Sequence, residues 1–254
     1  MRNWQINRWL VLAVMVGAFV VIIANAGWWE TVLRFFFPEE SNVLHARSLL
    51  VLVGEHMVLV ALSSSLTIII GVPLGIWVTR PSGSSFLPIV SDLTSFGQTF
   101  PPVAVLALAV PILGFGVEPT VLALAIYGLL PVVRNTIAGL RAVPHTLIDA
   151  AYGMGMGRMQ TLFRVELPLA AGIILTGIRI SVIINVGTAM IGAVIGAGGL
   201  GSPIIAGLVQ DNLAFIIEGA IPAAILAILI DQLLANIERT FAYSASHVQQ
   251  GSRA

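Results

Sequence analysis

The 254-residue chain is 57% hydrophobic and only 9% charged, which excludes a water-soluble protein because too few polar residues remain to cover its surface. Twelve basic residues balance twelve acidic residues, so the charge gives no support for a nucleic-acid partner. All basic residues are arginine and there is no cysteine, which excludes the lysine of a Walker A phosphate loop, disulfides and thiolate chemistry. These features predict an all-α integral membrane protein that does not itself hydrolyse ATP by Walker A chemistry.

Apolar stretches with few charges predict about six transmembrane helices, since crossing a bilayer takes roughly 20 apolar residues. The stretches cover residues 9–29, 57–79, 86–117, 119–133, 169–197 and 212–235. The first gives an N-terminal transmembrane helix within residues 1–29. Arg2 and Arg8 before it also fit a secretory signal peptide, but the uncharged run exceeds a usual signal core.

The arginine distribution predicts the orientation of the chain. With a cytoplasmic N-terminus, nine arginines fall inside and two outside, as the positive-inside rule requires. Both termini are then cytoplasmic, residues 30–56 form an external segment, and residues 239–254 form a cytoplasmic tail.

The longest predicted internal connection comprises residues 134–168. Pro144 suits the first turn of a short helix, and glycines at 153, 155 and 157 break that helix before residues 158–167 start another. This pattern predicts a helix, a flexible turn and a second helix at the membrane surface.

The same connection resembles the EAA loop of permeases from binding-protein-dependent ABC importers. The family pattern is Glu-Ala-Ala, three residues, Gly, nine residues, then Ile, any residue and Leu-Pro. The matching residues are Asp149, Ala150, Ala151, Gly155, Val165, Leu167 and Pro168. Asp149 replaces Glu and Val165 replaces Ile, while the spacing is complete. The resemblance implies that this loop docks on a separate ATPase subunit and couples its movement to the transmembrane helices.

The resemblance extends over about residues 55–238, which implies a type I ABC importer permease core at residues 57–238. Residues 97–102, 177–179 and 196–201 are similar to the osmoprotectant branch, which transports glycine betaine, choline and related amines. The implied partners are a pair of ABC ATPase subunits, a second permease subunit, identical or paralogous, and an extracytoplasmic solute-binding protein. The implied location is the bacterial cytoplasmic membrane, and no cofactor is implied.

Polar residues within the apolar stretches are candidates for the translocation path or for structural pairs. Gln98, Thr99, Phe100 and Pro101 lie where prolines should open a helix, and Glu218 offers a negative charge to a cation. A packing kink without solute contact is an equally good interpretation of the proline site. Arg179 near mid-membrane requires a partner, and an ion pair with Asp92 or Asp231 is favoured over a place beside the path.

Two alternatives stay open from the sequence. A methionine-type ABC permease has a similar glycine-rich stretch at residues 196–201. An ion-coupled secondary transporter would use the same acidic residues but leaves the loop motif unexplained. The four histidines lie too far apart along the predicted topology to form one metal site.

Overall fold

The computed structural model describes the backbone of residues 2–251 and the side chains of residues 8–240; within these limits the chain contains helices and no strand. The helices are α1 (Arg2–Ala24), α2 (Ala26–Phe36), α3 (Leu49–Val78), α4 (Leu87–Thr99), α5 (Pro102–Leu113), α6 (Val117–Arg141), α7 (His145–Gly153), α8 (Arg158–Thr161), α9 (Leu167–Thr188), α10 (Gly201–Gln210) and α11 (Leu213–Gly251). Helix α11 therefore runs through most of the predicted tail, of which residues 252–254 lie outside the described part.

The apolar helices agree with the predicted number of membrane spans. Among the described residues, four stretches are long and apolar enough to cross a membrane: Leu49–Val78, Val117–Arg141, Arg158–Ile195 and Leu213–Thr240. Two bent helix pairs raise the number to six if each pair forms one span. The prediction of an all-α membrane protein with about six spans is confirmed.

The first bent pair is α1 and α2, which meet at 77° at Asn25. The Asn25 side chain accepts a hydrogen bond from the Trp28 backbone N–H at 3.1 Å and so caps α2. Asparagine disfavours a helix interior and favours this capping position. The span predicted at residues 9–29 is therefore bent after Ala24, and Trp29 belongs to α2.

Helix α3 starts at Leu49, eight residues before the predicted start of the second span. The sequence prediction stopped at polar Glu55 and His56, but both side chains have partners inside the protein. Glu55 pairs with Arg47, and the fully buried His56 contacts the Val186 carbonyl at 3.0 Å. The segment 30–56, which was predicted to be external, is consequently mostly helical, with a shorter connection at residues 37–48.

The second bent pair is α4 and α5, which meet at 96°. Pro101 and Pro102 lie at the break, where Pro101 is extended with ψ of 133° and Pro102 starts α5. Neither proline has a backbone N–H to continue α4. The helix break predicted from this pair of prolines is confirmed, although the single span 86–117 becomes two helices.

Helix α6 continues to Arg141, eight residues past its predicted end. Arg134 was taken as the boundary, but its guanidinium donates to the Ser95 hydroxyl at 3.0 Å within the helical region. Arg141 lies in the last turn, where a cation is favoured by the helix dipole. Helix α6 therefore extends through the first eight residues of the predicted connection, and the bounds 134–168 of the coupling loop stay a prediction.

The chain divides into two compact units. Unit 1 comprises residues 1–64, 100–125 and 182–233, and unit 2 comprises residues 65–99, 126–181 and 234–254. In unit 2, glycines allow close helix approach: a Cβ on Gly75 would lie 2.7 Å from Thr136 Cβ, and one on Gly177 would lie 2.6 Å from the Pro131 carbonyl. Small residues at helix contacts are typical of membrane proteins.

Candidate functional site

The motif-bearing connection forms a short helix, a turn and a second helix. Helix α7 begins after Pro144, and Met154 N donates to the Ala150 carbonyl at its end. Gly155 has φ of +81°, a conformation that L-residues with a side chain rarely adopt. Gly155 thus adopts a positive φ, as the flexible turn predicted here allows, and the turn leads into α8.

One side of α7 is fixed to the core of unit 2. Ala151 is 1% exposed, and Ile148 packs against a buried cluster. The cluster consists of Leu140, Val143, Leu162, Ala170 and Ile174. Because residues of α6, of the segment that joins α8 to α9, and of α9 contribute to this cluster, these three parts of unit 2 resist movement of α7.

The other side of the connection is exposed and rich in large apolar side chains. We define the coupling surface as Asp149, Ala150, Tyr152, Met154, Met159 and Phe163, all of which are exposed. Met154 reaches 71% exposure and Phe163 reaches 60%. A cluster of exposed apolar side chains typically marks a protein interface, and the flexible methionine side chain adapts readily to a partner surface.

Glu166, which occupies the variable position of the motif, anchors this region. The Arg80 guanidinium donates to both Glu166 carboxylate oxygens, at 2.9 and 2.6 Å. The Glu166 side chain is 5% exposed and that of Arg80 is 28% exposed. This two-point geometry fixes Arg80, two residues past the end of α3, to the segment that joins α8 to α9. The sequence offered one signal, an acidic residue between apolar neighbours.

Residues Leu162–Glu166 form a π-helical turn, in which Leu167 N donates to the Leu162 carbonyl. The wider turn precedes Pro168, whose ring would collide with the carbonyl four residues earlier in a regular α-helix. Arg158–Ile195 is therefore one helical stretch. The second helix predicted from residue 158 thus continues without a break into α9, and the role of Leu167 and Pro168 as the end of the coupling loop stays a prediction.

The candidate path residues of the third predicted span support the helix break. Gln98 is half-buried, and its amide donates to the Tyr127 carbonyl at 3.1 Å. The Thr99 hydroxyl donates to the Phe96 carbonyl at 2.8 Å, while Phe100 and Pro101 form the extended link. These contacts give Gln98 and Thr99 a structural role; contact with a transported solute stays a prediction.

Glu218 on α11 is 2% exposed and holds the connection between α2 and α3 in place. Its carboxylate accepts from the His45 backbone N–H at 2.7 Å, and the His45 ring packs edge-on against Phe215. Burial and, second, the Arg47 guanidinium lower the pKa of His45, which favours the neutral ring that accepts from Arg47 N at 3.2 Å. Glu218 as a path residue likewise stays a prediction.

The Glu55 side chain positions the glycine-rich turn at residues 196–201, which belongs to unit 1 like Glu55 itself. Its carboxylate pairs with Arg47 and accepts from the Gly199 backbone N–H at 3.0 Å. Gly196, Gly198 and Gly199 all have positive φ. The turn is thus positioned by a charged side chain from α3.

We expect Gly198→Ala to destabilise the protein more than Gly196→Ala. Each variant bears a positive-φ penalty of about 1–2 kcal/mol, but only a Cβ on Gly198 would overlap the Glu55 carboxylate, since Gly196 has open space. Displacing Glu55 also weakens its bonds to Arg47 and Gly199. Thermal unfolding of the purified variants measures the difference, and equal melting temperatures would contradict the anchoring role of Glu55.

Arg179 forms an ion pair with Glu238, at 3.2 Å, and Thr176 donates to the same carboxylate at 2.7 Å. Glu238 was not predicted as the partner because it lies 59 residues from Arg179 in the sequence. Asp92 is exposed on α4, and Asp231 is half-buried on α11. The predicted pairing of Arg179 with Asp92 or Asp231 stays a prediction beside the Glu238 contact.

Comparison with known proteins identifies the family. Residues 71–243 match the family of binding-protein-dependent transport system inner membrane components. The chain is 44% identical over 187 residues to an osmoprotectant import permease protein of Salmonella typhimurium, covering 74% of this chain and 79% of the relative. It is 41% identical over 186 residues to a glycine betaine/carnitine/choline transport system permease protein of Bacillus subtilis, covering 73% and 85%.

A solved structure agrees with this result. An inward-facing MetNI methionine ABC transporter matches with a TM-score of 0.67 and 26% identity, covering 76% of this chain and 95% of that chain. The fold is therefore that of a type I ABC importer permease.

The chain belongs to the family of inner membrane components of binding-protein-dependent transport systems. It is a multi-pass subunit of the cytoplasmic membrane that works with an ATPase and a substrate-binding protein, and it is a transport subunit and not an enzyme. This membership favours an ATP-driven importer over the ion-coupled transporter considered from the sequence.

Proposed function

We propose that this chain is the permease subunit of an importer for a small osmoprotectant such as glycine betaine, choline or carnitine. The observation that carries the proposal is the identity of 40–44% to several permeases named for these solutes. The methionine transporter supports the same fold at only 26% identity. Methionine is therefore the weaker candidate solute.

For coupling, we infer that the coupling surface receives the ATPase subunit. Three observations support this role: the surface is exposed and apolar, Ala151 behind it is buried, and the Arg80–Glu166 pair connects it to α3. A force applied to α7 then moves α3 and α9 with it. Within this contact, Asp149 provides a polar side chain and Ala150 a small one.

We further propose that the complete transporter contains two permease subunits, either two copies of this chain or this chain with a paralogue. Relatives from Bacillus subtilis and Listeria monocytogenes carry paired designations, such as OpuBB with OpuBD and OpuCB with OpuCD. Two ATPase subunits and one external binding protein complete the assembly. Mass measurement of the purified complex distinguishes identical from different permeases.

The solute assignment is tested by uptake into proteoliposomes that contain the purified complex and its binding protein. We expect labelled glycine betaine, choline or carnitine to enter when ATP is enclosed, and methionine to be excluded. Methionine uptake alone would overturn the osmoprotectant proposal. Uptake driven by an ion gradient without ATP would overturn ATP coupling.

The proposed orientation places both termini in the cytoplasm. A reporter fused after Pro144 should then be cytoplasmic, and one placed at Pro38 should be external, because cytoplasmic segments retain most arginines. Activity of a phosphatase reporter, which requires export, checks both positions. An external Pro144 reporter would contradict both the orientation and the coupling role of α7.

A further inference from the structure

Helices α1, α3 and α11 border an open groove in unit 1. Thirteen residues line it, and every one is apolar or glycine, including Leu12, Phe19, Gly54, Met57, Leu226 and Ile230. The groove has a volume of about 330 Å³. It is separate from the coupling surface, from the proline break and from the candidate path residues.

Gly54 provides part of the space in this groove. A Cβ added at Gly54 would meet no atom within 4 Å, although the residue lies inside α3. Its neighbours in the sequence, Leu52 and Val53, are buried, so the helix itself is firmly packed. The missing side chain therefore leaves an opening without disturbing the helix contacts of α3.

The chemistry and size of the groove define its occupant. Water requires two to four polar partners, and the lining side chains offer none. A methylene group is about as large as the roughly 30 Å³ of a water molecule, so the groove accommodates about eleven methylenes.

We propose that the groove binds one acyl chain of a membrane phospholipid. The lining segments of α3 and α11 belong to membrane-spanning helices, and two exposed apolar side chains of α1, Val16 and Val20, line the groove themselves. A lipid chain is therefore the apolar ligand present at this surface. The bound chain fills the space between α1 and the two spans and fixes the position of α1 on α3.

Gly54→Phe tests the site, because a Cβ at this lining position meets no atom within 4 Å and the added ring takes up space in the groove. Gly17→Phe is the matched control: Gly17 also lies in a helix, is exposed and has open space at its Cβ, but does not line the groove. Both variants are purified as the full transporter complex. Native mass spectrometry then counts the phospholipids retained per permease chain.

We expect wild type and Gly17→Phe to retain one more phospholipid than Gly54→Phe. As a second measurement, a phospholipid with a photoreactive acyl chain should label wild-type peptides that contain Met57 or Leu226, and Gly54→Phe should reduce this labelling at least fivefold. Equal retention and equal labelling in all three proteins would overturn the site. Crosslinks from these positions to another subunit in place of lipid would overturn it as well. If Gly54→Phe fails to assemble, wild-type labelling elsewhere on α1 and not in the groove decides against the proposal.

Discussion

Glu166→Gln is expected to lower the free energy of unfolding by about 3 kcal/mol and to abolish coupled transport. The substitution leaves the Arg80 guanidinium without its anionic partner, and breaking a buried ion pair costs about 3–5 kcal/mol. The lower end applies because 28% of the Arg80 side chain stays exposed. Thermal unfolding and ATP-driven uptake of the purified complex measure the two effects.

The matched control is Glu30→Gln. Glu30 pairs with Arg34 one helical turn away, but their side chains are 45% and 52% exposed. An exposed pair of this kind contributes about 0.5 kcal/mol or less. The double variant Arg80→Gln with Glu166→Gln should recover part of the lost stability, because no charge remains unpaired. A Glu166→Gln protein that unfolds at the wild-type temperature would show that the pair does not anchor the segment.

Gly155→Val is expected to leave membrane insertion intact and to reduce uptake roughly tenfold. Valine at φ of +81° imposes strain of about 1–3 kcal/mol, which displaces the turn between α7 and α8. A tenfold change in an equilibrium corresponds to about 1.4 kcal/mol, so this strain suffices to depopulate the coupling-competent turn. Uptake normalised to the amount of assembled complex measures the effect.

Gly157→Val provides the control in the same turn. Gly157 has φ of −73° and ψ of 164°, an extended conformation that valine adopts without strain, and a Cβ there meets no atom. We therefore expect near-normal transport from this variant. If Gly155→Val also transports normally, the positive φ of the turn has no part in coupling. If both variants fail equally, side-chain bulk and not backbone strain is responsible.

The sequence predicted the membrane class, the number of spans and the helix break at Pro101, because these depend on composition and on the geometry of proline. Span ends were less predictable. Glu55, His56 and Arg134 were taken as boundaries, yet each lies within a helix and has a polar partner from another part of the chain. A charge marks the end of a span only when no such partner exists, and partners distant in sequence are not visible from local patterns.

In the candidate site, too, the features set by local sequence were predicted, and those set by distant partners were not. The spacing of Asp149, Gly155 and Pro168 indicated the segment that we propose couples to the ATPase, because that motif is local. Glu166 was missed because its partner Arg80 lies 86 residues away. Glu238 was missed for the same reason, since it joins Arg179 across 59 residues. The π-helical turn was also unforeseen, because its cause is the clash of Pro168 with a preceding carbonyl in the folded helix.

The helical stretch that begins at Arg158 has a mechanical consequence within unit 2. From Arg158 to Ser181, the last residue of unit 2 in this stretch, it comprises about 24 residues and extends over about 36 Å at about 1.5 Å per residue. If this part pivots as a rod about its Arg158 end, a tilt of about 5° displaces its far end by about 3 Å. A subangstrom push on Phe163, which lies close to the pivot, thus acts on the short arm of a lever whose long arm ends at Ser181.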